Sequence, residues 1–239
     1  MIKTLLSVFF PESLKTRLKD KLGVPSQISS LTQLKTLDFT PRFCLDIGAY
    51  KGHWTHDFIQ IFPDCRILMI EGQSEMEAAL IDTKKQYNDV DYKIALLGAE
   101  EKTVIFNKYE TASSVLNETN VTNAKVEERR LLLLDNLLEE SISKPDFIKI
   151  DTQGYELEIL KGGEKTLAAA KVVLLEVSFL DIYIDAPLVA DVLNYMNERG
   201  FVVYDICTLM RRPYDNALYQ ADMLFVKKDF FLREVKRWA

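Results

Sequence analysis

The sequence is poor in the residues that hold small or metal-bound folds together. It has three cysteines, Cys44, Cys65 and Cys207, and no CxxC pair. An odd, scattered set of thiols excludes a disulfide framework and reads as buried, reduced side chains of a cytosolic protein. Histidine is scarcer: His53 and His56 stand alone, with no cysteine nearby in sequence, which argues against a zinc site. No apolar run approaches the roughly 20 residues that span a bilayer. The run after Met1 is short and stopped by Pro11, and no small-residue cleavage site follows, so it does not read as a secretory leader. Positive charge is not in surplus. The 30 basic residues face 36 acidic ones, a net of −6, which argues against broad nucleic-acid binding. Internal repeats and low-complexity linkers are absent as well.

What is present fits a soluble globular protein. Apolar residues make up 48% of the 239, enough for a full core, and the length suits one large domain. We divide the chain into an N-terminal helical extension, 1–40, and a domain, 41–239. Both ends are locally basic. Residues 1–21 carry five basic side chains against two acidic, and the tail reads "KKDFFLREVKRWA". The expected fate of such segments is packing on their own domain. Peripheral contact with a membrane surface is the alternative.

Along the chain, strands and helices alternate. Apolar runs at 42–47, 66–71, 92–97, 146–151 and 171–177 are nearly continuous. Strands buried on both faces of a parallel sheet have this character. Between them, Trp54, Phe58, Ile61 and Phe62 form one helical stripe, and Ser74 with Glu77 has capping-box spacing. Val189, Val192, Leu193 and Met196 form another stripe, with Pro187 near its first turn and Gly200 at its end. Two last runs, 201–207 and 221–228, have no helical pattern between them and should pair as an antiparallel hairpin. The expectation is an α/β, doubly wound, mostly parallel sheet closed by that hairpin. Residues 98–145 interrupt it as an insertion. Within it "KTVIFNKY" suits an added strand, and "VEERRLLLLDNLLEE" suits either strand or helix.

The stretch "FCLDIGAYKGHW" marks a pocket. Such sheets bind ligands at the carboxyl ends of their strands. The first strand ends at Ile47; Gly48 lets the chain turn tightly and approach a ligand, and Gly52 permits close packing at the next helix. Glu71 closes the second strand, where a carboxylate accepts both hydroxyl hydrogens of a ribose. A nicotinamide cofactor would want G-x-G-x-x-G, and Tyr50 stands in place of a third glycine. The acidic Asp46 instead suits a ligand without phosphate and with a cationic end, such as S-adenosylmethionine. Candidate cofactor contacts are Asp46, Gly48, Ala49, Tyr50, Gly52, Glu71, Gly72, Ala95 and Leu96.

Four blocks carry a resemblance: "PRFCLDIGAYKGHWT", "ILMIEGQ", "RRLLLLDNLLEESISKPDFIKIDTQGYELEILKGG" and "ADMLFVKK". In this order, from about Leu31 to Lys228, they resemble the FkbM-type S-adenosylmethionine-dependent methyltransferases. The resemblance implies a Rossmann-like class I methyltransferase fold with seven strands, the last inserted antiparallel. It also implies O-methyl transfer, often to a sugar or polyketide hydroxyl. Asp46, Gly48 and Gly52 match the family's first cofactor motif, and Glu71 its ribose acid. Two departures stand out. Many members read D-V-E-G where this chain has Asp151-Thr152-Gln153-Gly154. Many also have an acid pair and a histidine where this chain has Leu175-Glu176-Val177-Ser178.

Methyl transfer to a hydroxyl gains from a general base or a metal that draws off the proton. Asp151 and Glu176, at the ends of adjacent strands, are the candidate catalytic acids. A divalent-metal site built from the same pair is the less favoured alternative. Glu156 is either an acceptor contact or a solvent-facing or capping acid. Ser113 and Ser114 are candidate acceptor contacts or a plain polar turn. His53 reads as a helix-start residue. The expected acceptor is a small molecule or glycan. A non-catalytic S-adenosylmethionine-binding module and a nicotinamide-dependent oxidoreductase are the competing readings.

Overall fold

The computed structural model describes residues 22–108, 115–116, 125–139 and 144–238. The strands are β1 (Phe43–Ile47), β2 (Arg66–Glu71), β3 (Val90–Ile94), β4 (Leu96–Leu97), β5 (Thr103–Lys108), β6 (Lys125–Leu132), β7 (Phe147–Ile150), β8 (Val172–Ser178), β9 (Phe201–Arg211) and β10 (Leu218–Lys227). The helices are α1 (Gln27–Thr36), α2 (His53–Ile61), α3 (Glu77–Gln86), α4 (Leu134–Leu137), α5 (Glu156–Lys161), α6 (Glu164–Ala169) and α7 (Val189–Glu198). Seven strands form the main sheet in the order β3-β2-β1-β7-β8-β10-β9. Neighbours from β3 to β8 pair in parallel, and β10 runs antiparallel between β8 and β9. The strand order reverses between β1 and β7, which opens the crevice where such sheets hold ligands.

Every residue of β1, β7 and β8 is buried, as continuous apolar runs require. Alternate side chains feed two cores. Cys44, Ile67, Met69, Phe147 and Leu174 face α1, α2 and α3, whereas Leu45, Ile70, Ile148 and Leu175 face α5, α6 and α7. Phe58 shows how α2 is anchored. Its ring sits 4.8 Å from Trp54, 4.9 Å from Phe62 and 5.1 Å from Phe147. Truncating such a fully buried ring to alanine costs about 3–5 kcal/mol.

The structure differs from the pattern expectations in four places. The run 92–97 divides at Ala95, whose N–H donates to the Glu71 carbonyl at 2.9 Å. The chain then leaves the main sheet, and Leu96–Leu97 pair with β6. The insertion therefore carries its own sheet, β4-β6-β5. The ambiguous leucine-rich stretch is strand through Leu132 and helix from Leu134, with Leu131 and Leu134 both buried. The hairpin arms are longer than expected. Their polar residues find partners inside the sheet, Thr208 with Asp222 and Gln220 with Glu176. The capping box does not form: Ser74–Met76 makes a 3-10 turn, and the helix begins only at Glu77.

In the extension, α1 packs on the domain through Leu31 and Leu34. Gln27 of α1 joins two elements, accepting from Trp54 Nε1 at 2.8 Å and donating to Asp222 Oδ2 at 2.6 Å. The basic stretch 1–21 lies outside the described residues. Near the other end, Phe230 packs edge-on against Phe39 at 5.4 Å, while Val235 and Trp238 are exposed. Among the described residues no helix is long and apolar enough to cross a membrane. All three cysteines are buried and free, and burial pushes the Cys65 and Cys207 thiols up to about 12.

Candidate active site

A cavity of about 550 Å³ opens at the carboxyl ends of the strands. That volume is in the usual range for a small-molecule site. One end lies over β1, β2 and the β3–β4 break. There Gly48, Tyr50, Glu71, Gly72, Ala95 and Leu96 line it. Gly48 has φ +76°, and a Cβ on it would fall 1.9 Å from the Asp151 carbonyl oxygen, so only glycine fits where β1 and β7 meet. Glu71 is buried, yet it faces the cavity. Its two oxygens accept the Tyr50 and Gln73 main-chain N–H groups, each at 2.7 Å. Burial raises its carboxyl above the usual range, against the pull of those two bonds. Phe106, from β5, closes the apolar wall beside Leu96.

The other end lies over β7, β8 and β10. Asp151, Gln153, Glu176, Tyr183, Tyr219 and Gln220 line it. Glu176 Oε2 accepts from Gln153 Nε2 and Gln220 Nε2, both at 2.9 Å. Burial raises the Glu176 carboxyl well above its ordinary value. Asp151, Glu156 and Asp222 push the same way, and Lys149 opposes them. The structure thus brings both candidate catalytic acids into one cavity with Glu71. Among the described lining residues there are three acids and no lysine, arginine or histidine.

Other candidates lie elsewhere. Asp46 is fully buried and does not line the cavity. Its Oδ1 pairs with Lys149 Nζ at 3.1 Å, and its Oδ2 accepts from Thr55 Oγ1 at 2.7 Å. It braces β1 and β7 from the α2 face rather than presenting a charge to a ligand. Ala49 is packed in the α2-side core, and Gly52, at φ +78°, faces Thr83 of α3. Glu156 is buried and absent from the lining, and of the readings open in the sequence the capping acid fits its bonds. Its Oε1 accepts from Thr152 N at 2.9 Å, Thr152 Oγ1 at 3.2 Å and Gly154 N at 3.1 Å. It fixes the loop after β7, because α5 starts at Glu156 and leaves Asp151 outside any N-cap. His53 is the first residue of α2. Ser113 and Ser114 lie outside the described residues. Among the described residues no group of three or more His, Cys, Asp or Glu side chains converges to hold a metal ion.

Pattern reading missed Lys149, Gln153, Tyr183 and Gln220. Gln153 carried a signal only as a missing acid, and Lys149 one as a charge inside the apolar run "FIKI". A lysine buried there must find a partner. It finds Asp46, the Gly48 carbonyl at 3.1 Å and Asp151 Oδ2 at 3.6 Å, and these acids hold its ammonium charged.

A parallel sheet with this strand order and one antiparallel strand inserted next to the edge is the class I methyltransferase fold. Magnesium protoporphyrin IX methyltransferase (ChlM) of Synechocystis PCC 6803 superposes with a TM-score of 0.50 at 11% identity, over 84% of this chain and 77% of that one. TrmK of M. capricolum, solved with S-adenosyl-homocysteine, gives 0.51 at 9%, over 85% and 69%. Compared with curated proteins, the sequence has no match. The family model of the methyltransferase FkbM domain matches residues 46–203, and the chain belongs to that methyltransferase family.

Proposed function

We propose that this chain is an S-adenosylmethionine-dependent O-methyltransferase whose acceptor is a hydroxyl on a sugar, glycan or other small metabolite, not a nucleic acid. The observation that carries the reading is the convergence of Glu71, Asp151 and Glu176 on one cavity with no basic side chain among its described lining residues. A sulfonium and an ammonium suit that lining, and a pyrophosphate does not. When bound, S-adenosylmethionine supplies an activated methyl group. Glu71 would hold its ribose hydroxyls, Gly48 would let the main chain approach it, and Ala95, Leu96 and Phe106 would flank its base.

The chain's own part is to place the acceptor oxygen and remove its proton. Among the described residues both bonds to Glu176 reach Oε2, which leaves Oε1 to take that proton. A carboxylate whose proton affinity is raised is the stronger base. Methyl transfer should therefore rise with pH as Glu176 loses its proton. The overall charge of −6 and the anionic lining favour a neutral acceptor over a polyanion.

Calorimetric titration of S-adenosylmethionine and S-adenosylhomocysteine tests the reading. Wild type should bind in the micromolar range, and Glu71→Ala about tenfold or more weakly, since it loses charge-assisted hydrogen bonds. Absence of binding by the wild type would overturn the proposal.

A further inference from the structure

The loop after β7 is bent against its own preferences. Gln153 and Gly154 are consecutive left-handed residues, at φ +57° and +93°. For glutamine that conformation costs about 1–2 kcal/mol. Strain of this kind collects where a side chain must be aimed. The three bonds to Glu156 Oε1 hold the bend, and the bend turns Gln153 into the cavity.

There, among the described residues, its carboxamide meets Glu176, Asp151 and Tyr183. Nε2 donates to Glu176 Oε2 at 2.9 Å and to Asp151 Oδ1 at 3.2 Å, and Oε1 accepts from the Tyr183 hydroxyl at 2.7 Å. This orientation follows from chemistry. Carboxylate oxygens accept when ionised, and an amide turned the other way would set its oxygen against the oxygens of both acids. Tyr183 then supplies the donor that the amide oxygen needs.

We infer that Gln153 is a positioning residue: its carboxamide, fixed by Tyr183, bridges Asp151 and Glu176 across β7 and β8, favours the charged form of Glu176 and aims both acids at the acceptor. The catalytic meaning of this bridge rests on the methyltransferase reading; the bridge itself does not. Hydrogen bonds to a charged form favour that form. Glu176 needs such donors. Asp151 just after β7, Glu156 from α5 and Asp222 from β10 all oppose its charge, as does burial, and Lys149 of β7 supports it. Tyr219 of β10 also lies within its field. Gln220 contributes the second neutral donor. A carboxylate at position 153 would instead add one more negative charge to this group.

The test is the titration of Glu176 in the whole chain, isotope-labelled at glutamate carboxyls and followed by NMR. Its signal is assigned by its loss in Glu176→Gln. Gln153→Leu keeps the bulk and removes the donor. It should raise the Glu176 midpoint by about one pH unit, roughly tenfold in proton affinity. Gln153→Glu should raise it further, and Tyr183→Phe less. A Gln153→Leu midpoint within about 0.3 unit of wild type would mean that Gln153 only fills space, and would overturn the inference. Should Gln153→Leu not fold, an unmoved midpoint in Tyr183→Phe overturns it equally. S-adenosylhomocysteine binding in the same samples separates the two readings. A shifted midpoint without binding removes the methyltransferase reading and leaves the bridge. Binding with an unmoved midpoint removes the bridge alone.

Discussion

The two ends of the cavity hold their carboxylates in different ways. Over β2, Glu71 is held by the main-chain N–H groups of Tyr50 and Gln73. Over β8, Glu176 is held by the side-chain amides of Gln153 and Gln220, and Asp151 shares the first of these. Main-chain donors exist in every sequence that makes the turn. Side-chain donors depend on which residue stands at that position. The first end is therefore fixed by backbone shape, as a site for an unchanging cofactor would be. The second is open to adjustment one residue at a time, as a site for an acceptor would be.

Lys149 joins the ends, and removing it should break both. Its side chain is 6% exposed and that of Asp46 0%, so Lys149→Met leaves an uncompensated charge in the core. Loss of one partner from a buried pair costs about 3–5 kcal/mol. Urea unfolding should show a loss of that size; a loss below about 1 kcal/mol would mean that the pair is not a joint. Gly48 offers a second break. Gly48 and Gly200 share left-handed geometry at φ +76° and +79°, but a Cβ on Gly200 meets nothing within 4 Å. Gly200→Ala should cost about 1–2 kcal/mol for conformation alone. Gly48→Ala should cost clearly more and abolish cofactor binding, because it must push β1 and β7 apart.

Glu156 is a mixed case, a side chain that holds main-chain donors. Burial lifts its carboxyl from an ordinary 4.5 to about 7. The folded state then binds this proton more tightly than the unfolded state does. Stability from this group is fully present below about pH 4.5 and is lost as pH rises to about 7. Glu156→Gln cannot titrate, yet its amide oxygen still accepts from Thr152 and Gly154. The variant should fold, and its stability should fall less steeply across that window, by up to one proton's slope of about 1.4 kcal/mol per pH unit. Parallel curves for the two proteins would show that Glu156 is not the group titrating there.

The difference between the ends also decided what could be read in the sequence. β1, β2, Glu71 and the glycine turn are local: an apolar run, a turn and an acid at a strand end place one another. The final hairpin was legible for the same reason. The end over β7 and β8 is not local. Gln153, Glu176, Tyr183 and Gln220 come from a loop, two strands and the chain before α7, and nothing in the spacing of glutamines announces that they meet. Asp151 and Glu176 were found only because strand ends are predictable. Residue type alone left two acids open. Asp46 suggested a ligand and Glu156 an acceptor, solvent or a cap; the structure sets the first against a lysine and the second against the N–H groups of a bent loop. The departure at Gln153 was visible as a missing acid, whereas its use as a donor required the structure.

One substitution made at both ends sharpens the comparison. Glu→Gln removes a charge and replaces one acceptor with a donor. At position 71 both oxygens already receive main-chain N–H groups, so the new amide nitrogen must face one of them. A buried donor is left unpaired, at a cost of about 1–3 kcal/mol. At position 176 both described donors reach one oxygen, and the amide can keep its oxygen there while its nitrogen turns to the cavity. Glu71→Gln should therefore lower the melting temperature and weaken S-adenosylhomocysteine about tenfold, roughly 1.4 kcal/mol. Glu176→Gln should leave that affinity within about threefold, below 1 kcal/mol. The sulfide is the better probe, because it lacks the sulfonium charge and so responds less than the methyl donor to the charge removed. Equal losses at the two positions would mean that the cavity has one electrostatic site rather than two ends built on different principles.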